Sequence, residues 1–177
     1  MFGMPLHPLV VHFPIVLTFL LPISVLVALW AIRKGTTPRR VWAVPVAFAA
    51  ALSLSAFVAV ETGEDEEDRV ERVVGKAAMH GHEEAAERFL VLSGVLLVVS
   101  GAGFLPRTMG RAARLVTGAG AIGLVAAAAQ VGHSGGTLVY EHGAASAYTT
   151  PGSGTAGGEA IAEARDESRR AHDSRDR

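Results

Sequence analysis

Hydrophobic residues along the chain are gathered into four long blocks, and polar residues fill the segments between them. The blocks cover residues 8–32, 41–60, 89–105 and 112–131, and the third gains Ala85 and Ala86 from its flank. A helix needs roughly 20 apolar residues to cross a hydrocarbon core ~30 Å thick. Charged residues are absent from the core of every block, where each would cost about 2.5–3.5 kcal/mol. The pattern predicts an all-α fold, a bundle of four transmembrane helices.

The two ends of the chain differ from each other in character. No Lys or Arg precedes Arg33, so the first block lacks the basic segment of a signal peptide and is interpreted as a retained helix. After His142 the composition changes to Gly, Ala, Ser and Thr, and then to mixed charge through Arg177. Such a segment buries too little apolar surface to offset its ordering entropy. We therefore expect a membrane domain over residues 1–143 and a disordered tail over 144–177, with at most a short helix near 159–170 and no role for His172.

Composition narrows the classes of function. Half of the residues are hydrophobic and only 19% are charged, whereas a soluble domain is nearer a quarter charged. The absence of cysteine excludes disulfides, thiolate metal sites, iron–sulfur clusters and covalently attached haem. A net charge of −1 gives no indication of a nucleic-acid partner.

The loop charges predict an orientation in the membrane. Two short loops are basic and contain no Asp or Glu; they hold Arg33, Lys34, Arg39 and Arg40, and Arg107, Arg111 and Arg114. The segment between the second and third blocks is acidic, above all at residues 64–68, which are interpreted as a solvated loop. Because Lys and Arg favour the cytoplasmic side, both termini and the acidic segment are expected outside. Trp30 and Trp42 are then expected at the inner interface.

Six histidines map to the predicted outer end of the bundle: His7, His12, His80, His82, His133 and His142. His12, His82 and His133 lie within or at the ends of apolar blocks, where an ionisable residue usually has a function. A binding role is favoured for these three. For His7 and His142 a binding role and a plain interfacial role are equally weighted, and His80 is interpreted as an ordinary polar residue.

Helical spacing restricts how these histidines can share a ligand. His7 and His12 are about 140° apart around a helix, and His80 and His82 about 200°, so neither pair forms the i, i+4 face of a helical zinc site. A shared ligand must therefore be held by different helices, as in axial haem ligation. Gly135 and Gly136 are expected to form a turn after His133. Pro14 is expected to kink the first helix beside His12.

Two motifs carry a resemblance to a known family. The stretch Leu6-His7-Pro8-Leu9-Val10-Val11-His12-Phe13-Pro14-Ile15 and the stretch from Gly132-His133-Ser134-Gly135-Gly136 to Tyr140-Glu141-His142-Gly143 resemble the opening and closing signatures of a bacterial four-helix membrane family, domain of unknown function 2231. Thr62-Gly63 and His82 are weaker matches. The resemblance covers roughly residues 5–143 and implies the four-helix fold with histidines clustered at one end. It implies no activity.

The leading hypothesis is a haem b protein of the bacterial cytoplasmic membrane that transfers electrons. His12 and His133, or one of them with His82, would be the axial ligands. His7, His142 and Tyr140 would hold propionates or orient the ligands. A single haem at one face cannot carry electrons across ~30 Å of lipid bilayer by itself, so a quinone or an extracytoplasmic redox partner is expected.

Two other hypotheses stay open. One is a copper- or zinc-binding membrane protein or transport accessory, with Met4 or Met79 as soft ligands for cuprous copper. The other is a structural membrane subunit without a cofactor. An enzyme is the least favoured class, since the sequence has no phosphate loop, nucleophile elbow or thiol.

Overall fold

The computed structural model of the chain describes residues 6–148. This part consists of five α-helices and a short C-terminal 3₁₀ helix. They are α1 (His7–Val10), α2 (His12–Arg33), α3 (Pro38–Val74), α4 (Lys76–Ala102), α5 (Arg107–Tyr140) and the 3₁₀ helix (Ala144–Tyr148). The helix α2 packs on α3, α3 on α4 and α4 on α5, and α5 returns to α2, so the four long helices close into a bundle. The all-α fold predicted from the sequence is confirmed.

The side chains on the surface of the bundle indicate the environment that surrounds it. Four helical stretches are long and apolar enough to cross a membrane: His7–Arg33, Pro38–Val74, Lys76–Ala102 and Arg107–Tyr140. Large apolar side chains point outward along them, with Leu26 67%, Val98 75% and Ile122 68% exposed. A water-soluble monomer does not expose apolar surface on this scale, whereas lipid accepts it. The chain is therefore an integral membrane protein that crosses the bilayer several times.

The interior of the bundle is apolar and narrow. Leu21, Val25, Leu52 and Leu124 form its core, together with small residues such as Ala121. The buried Oγ of Ser53 has no hydrogen-bond partner within residues 6–148. The hydroxyls of the other buried residues bond carbonyls of their own helices, with a distance of 2.7 Å from Thr18 to the carbonyl of Pro14; these residues are Thr18, Ser93, Ser100 and Thr117. Such local bonds satisfy a hydroxyl where no water is present. The helices can therefore approach closely without leaving these polar groups unpaired.

The first span is broken near its start. The helix α1 ends at Val10 and α2 begins at His12, with Val11 between them in a turn. Pro14 has no N–H and cannot bond the carbonyl of Val10, so the helical pattern is interrupted there. The boundary between α1 and α2 thus lies beside His12, where a kink was expected, and the kink itself stays a prediction.

The helix α3 continues well beyond its apolar block. It runs through residues 61–74, so the acidic run at 64–68 is helical and the expectation of a loop was wrong. The turn to α4 is a single residue, Gly75, whose φ of 84° and ψ of 151° suit glycine alone. The two helices therefore extend together as a hairpin past the hydrophobic part of the bundle.

Trp42 closes the opposite end, where the basic loops lie. Its side chain is fully buried, and its Nε1–H donates to the carbonyl of Ser100 at 2.8 Å. A Cβ on Gly103 would lie 2.1 Å from the same nitrogen, so only glycine fits beside the indole. Trp42 is thus an interior residue, and its expected place in an interfacial belt was wrong, whereas Trp30 is exposed.

The end of α5 differs from the sequence-based expectation. Gly135 and Gly136 lie inside α5, which continues to Tyr140, so no turn forms at these glycines. The chain turns at Gly143, and Ala144–Tyr148 pack against α3 and α5. These five residues belong to the folded part, although the sequence placed them in the tail. The rest of the expected tail, with the helix near 159–170 and His172, lies outside the described residues.

Candidate functional site

Four elements meet at the end of the bundle that carries the two family-like motifs. The helices α1 and α4 contribute His7 and His82, while α3 and α5 contribute Gly63 and Gly135. We call this the histidine end. Its central feature is a pair of imidazoles, that of His7 on α1 and that of His82 on α4.

His7 is held by α3. Its Nδ1 lies 2.8 Å from the carbonyl oxygen of Ala59. A carbonyl can only accept a hydrogen bond, so this nitrogen carries the proton and donates. A Cβ on Gly63 would lie 3.2 Å from the imidazole, which shows how closely the ring approaches the backbone of α3. The ring is therefore held against α3 with Nδ1 protonated.

His82 is held in the same way by α5. Its Nδ1 lies 3.0 Å from the hydroxyl oxygen of Ser134. That hydroxyl donates its own proton to the carbonyl of Val131 at 2.9 Å, so its oxygen accepts from His82. A Cβ on Gly135 would lie 3.1 Å from Cε1 of the ring. His82 is thus oriented with its Nδ1 toward the backbone and Ser134 of α5.

The two rings face each other across the histidine end. Their centroids are 6.3 Å apart and their planes are nearly perpendicular, at 86°. Both side chains are partly buried. Metal-binding histidines have the same support, with one ring nitrogen bonded to the protein and the other turned to the metal. In both rings Nδ1 is therefore the nitrogen that the protein engages, and Nε2 is the other ring nitrogen.

The other histidines are not part of this pair. His12 and His133 are exposed, and the His12 Nδ1 lies 3.3 Å from the carbonyl of Leu9 within its own turn. The side chain of His80 is 75% exposed, and its Nδ1 lies 3.5 Å from Oε2 of Glu83. His142 and Tyr140 are also exposed, at the end of α5.

The structure therefore does not bring His12, His82 and His133 together. Across residues 6–148, no three His, Asp or Glu side chains gather closely enough to hold a metal ion. It is His7, ranked lower from the sequence, that lies opposite His82.

Sequence reasoning also missed residues that support the pair. Ala59, Gly63 and Ser134 contact the two rings, and Glu66 lies on the same face of α3. A signal was available, because helical spacing continues through the acidic run. Ala59, Gly63, Glu66 and Val70 follow each other at intervals of four, three and four residues, which places them on one face of a helix. Treating the run as a loop concealed this face.

The comparison with protein families agrees with this picture. Residues 3–148 match a family described as "Predicted membrane protein (DUF2231)". The chain belongs to this family. Comparison with curated proteins and with solved structures gives no match. Membership in DUF2231 thus supports the membrane class, and the matched range includes the 3₁₀ helix as well as both motifs.

Proposed function

We propose that this protein binds a redox-active metal between His7 and His82, with haem b as the first candidate, and that it transfers electrons at one face of the membrane. The observation that carries the proposal is the pair of rings, each with Nδ1 bonded to a fixed acceptor. With Nδ1 engaged in this way, Nε2 is the ring nitrogen that each histidine would offer to a metal. The protein holds the ligands ready before the metal arrives.

The distance between the rings supports ligation of one metal from two sides. Metal–imidazole bonds are about 2.0–2.1 Å long, which puts the centroids of two opposed rings roughly 6 Å apart. The observed centroid distance is 6.3 Å. The rings therefore need little movement to bind one metal together.

The number of ligands favours haem iron over zinc. Structural zinc is bound by four protein ligands and catalytic zinc by three. Within the described chain no such group exists, and the histidine end offers two imidazoles. Haem would bring four nitrogen ligands of its own, so that one or two protein ligands suffice, and His7 and His82 could supply both. A two-histidine site is complete for haem and incomplete for zinc.

Electron transfer is the role that fits two axial imidazoles. Bound haem would supply a one-electron couple and, with both axial positions filled, would present no open position to oxygen. The chain's own contribution is to orient the two rings. Ala59 and Ser134 fix their tautomers, while Gly63 and Gly135 let them lie against the helices.

The membrane side of the site follows from the loop charges. The basic loops lie at the Trp42 end, opposite the histidine end. By the positive-inside rule we place the basic end in the cytoplasm and the histidine end outside a bacterial cytoplasmic membrane. A single centre at that face needs a quinone or an external redox partner.

Cuprous copper is the second candidate. Imidazoles suit this ion, and two opposed nitrogens satisfy it without any further protein ligand. The same pair of rings favours it, and it needs no space for a macrocycle. Metal analysis separates the two candidates, because haem brings iron and a visible spectrum whereas cuprous copper brings neither.

The test compares single substitutions of histidines in protein purified from membranes of haem-sufficient cells. His7→Ala and His82→Ala should each remove the haem bands from the reduced-minus-oxidised spectrum. The matched controls His80→Ala, on the same helix as His82, and His12→Ala, close to His7, should retain them.

Two outcomes would overturn the haem proposal, one by excluding haem and the other by excluding His7 as a ligand. Wild-type protein without haem bands and without iron would end it, and stoichiometric copper in that protein would establish the second candidate. Loss of the bands in His12→Ala and His133→Ala, with His7→Ala unaffected, would assign the ligands to the exposed pair instead.

A further inference from the structure

The short helix that carries His7 cannot hold its own position. The helix α1 has four residues and joins α2 through Val11, whose φ of −59° and ψ of −21° are helical. A single turn of this length is too short to be stable without tertiary contacts. Its internal bonds join the amides of Leu9 and Val10 to the carbonyl of Leu6 and the amide of Val11 to the carbonyl of His7. Contacts with the rest of the protein must therefore fix both the helix and the imidazole that it carries.

Glu66 provides such a contact at the first residue of this segment. Its Oε1 accepts the backbone N–H of Leu6 at 2.8 Å. Leu6 precedes α1 and has no side chain that could cap the helix. Because the acceptor is a carboxylate, the bond is stronger than one between neutral groups. It fixes the backbone amide of Leu6, the residue before His7.

The other oxygen of the same carboxylate holds the end of the folded chain. The hydroxyl of Tyr148 donates to Glu66 Oε2. The guanidinium of Arg69, one turn further along α3, lies 5.8 Å from the centroid of the Tyr148 ring. Ala144 packs in a small apolar cluster with Val70 and Leu138. One carboxylate thus joins the beginning and the end of the folded region to α3.

We propose that Glu66 is a positioning residue for His7, acting through the Leu6 peptide and itself oriented by Tyr148. Ala59 fixes the tautomer of the ring, and Glu66 fixes the backbone from which the ring projects. The consequence for a bound metal depends on the function proposed above, but the positioning of His7 does not.

The two histidines should respond differently when Glu66 is changed. The two residues of α5 that contact His82 are Ser134 and Gly135, and neither makes a hydrogen bond to Glu66. Loss of the carboxylate should therefore release His7 and leave His82 as it is. This asymmetry separates positioning from a general loss of stability, which would affect both rings.

The experiment uses the full chain without metal in detergent micelles, uniformly labelled with ¹⁵N. In Glu66→Ala, the protonated Nδ1 signal of His7 should give way to averaged tautomers, while that of His82 stays unchanged. The amides of Leu9 and Val10 should exchange with solvent about tenfold faster. Assignment uses the signals lost in His7→Ala.

Two comparisons control the experiment. Glu66→Gln keeps a side-chain oxygen for the Leu6 N–H and an N–H for the Tyr148 hydroxyl, so it should restore the wild-type signals. Glu64→Ala removes an exposed carboxylate from the same run and should change nothing.

If Glu66→Ala fails to fold, a substitution of Leu6, the donor of the same hydrogen bond, tests the proposal. Leu6→Pro removes the donor, and its backbone φ of −76° already suits proline. It should release His7 in the same way. Unchanged His7 signals in both variants, or equal changes at His7 and His82, would overturn the proposal. Because no metal is present, absence of haem in the preceding test has no bearing on this result.

Discussion

Two glycines determine how closely the imidazoles of His7 and His82 approach the helices. Gly63 and Gly135 lie where a methyl group would come within 3.2 Å and 3.1 Å of the respective rings. Neither glycine is at a turn, and both lie within helices. A glycine inside a helix costs stability relative to alanine. At both positions an imidazole ring occupies the space that a side chain would fill.

This contact predicts different effects for two neighbouring substitutions in α5. Gly136 has open space around it, so Gly136→Ala should raise the free energy of unfolding by about 0.5–1 kcal/mol through helix propensity. Gly135→Ala should give a smaller gain or a loss, because the new methyl group pushes the His82 ring away from Ser134. Denaturant unfolding in micelles measures the difference, and the ¹⁵N signal of His82 reports the displacement. Equal gains with an unchanged His82 signal would contradict this account.

At the scale of elements, the extension of α3 beyond its apolar block has the largest consequence. It carries Ala59, Gly63 and Glu66 along one face, and this face contacts both α1 and the 3₁₀ helix. Glu64, Asp65 and Asp68 of the acidic run are exposed, whereas Glu67 is half-buried. A segment that looks uniformly charged in sequence is therefore an amphipathic helix whose inner face holds the two ends of the folded chain.

The attachment of the 3₁₀ helix to α3 predicts a titration. Burial, followed by the hydrogen bond and the charge of Glu66, raises the pKa of Tyr148 to about 12, against an ordinary value of about 10. The neutral phenol is the form favoured by the fold, so this contribution to stability is complete below pH ~10 and is lost as pH rises toward the folded-state pKa. Phenolate absorbance in a Tyr140→Phe background measures Tyr148 alone, since the chain has two tyrosines. A midpoint of about 10 in the folded protein would show that the attachment does not form.

At the scale of the whole molecule, the two ends of the bundle have different chemistry. One end has basic loops and is closed by Trp42, Gly103 and Arg114, whose Nε–H donates to the carbonyl of Gly103 at 2.9 Å. The other end carries the paired imidazoles and the acidic hairpin. The orientation of the bundle therefore decides which compartment the histidine pair can serve.

Because the chain contains no cysteine, single introduced cysteines can report this orientation. We expect Ala77→Cys, at the start of α4, to react with a membrane-impermeant thiol reagent on intact cells. Thr36→Cys, in the first basic loop, should react only after the membrane is permeabilised. Both positions are exposed in the structure, so accessibility within the protein does not limit either reaction. The reverse pattern would place the histidine pair in the cytoplasm.

Some features of the site were predictable and others were not. His7, His82 and the glycine-rich end of α5 were all singled out from their motifs, and the two histidines that lie close together come from different helices. The ranking of the histidines rested on their depth in apolar blocks, which gives position along a helix but not the direction around it. His12 and His133 are deep in this sense but lie on exposed faces.

The sequence by itself determined the class of this protein, the number of its membrane spans and the end at which its histidines gather. These follow from the length of apolar runs and from the need of a backbone in lipid to bond itself, which are local constraints. Only the tertiary structure decided which two imidazoles face each other and that Glu66 joins both ends of the chain. Those choices depend on how helices are rotated against each other, and that rotation is set by packing among residues far apart in sequence.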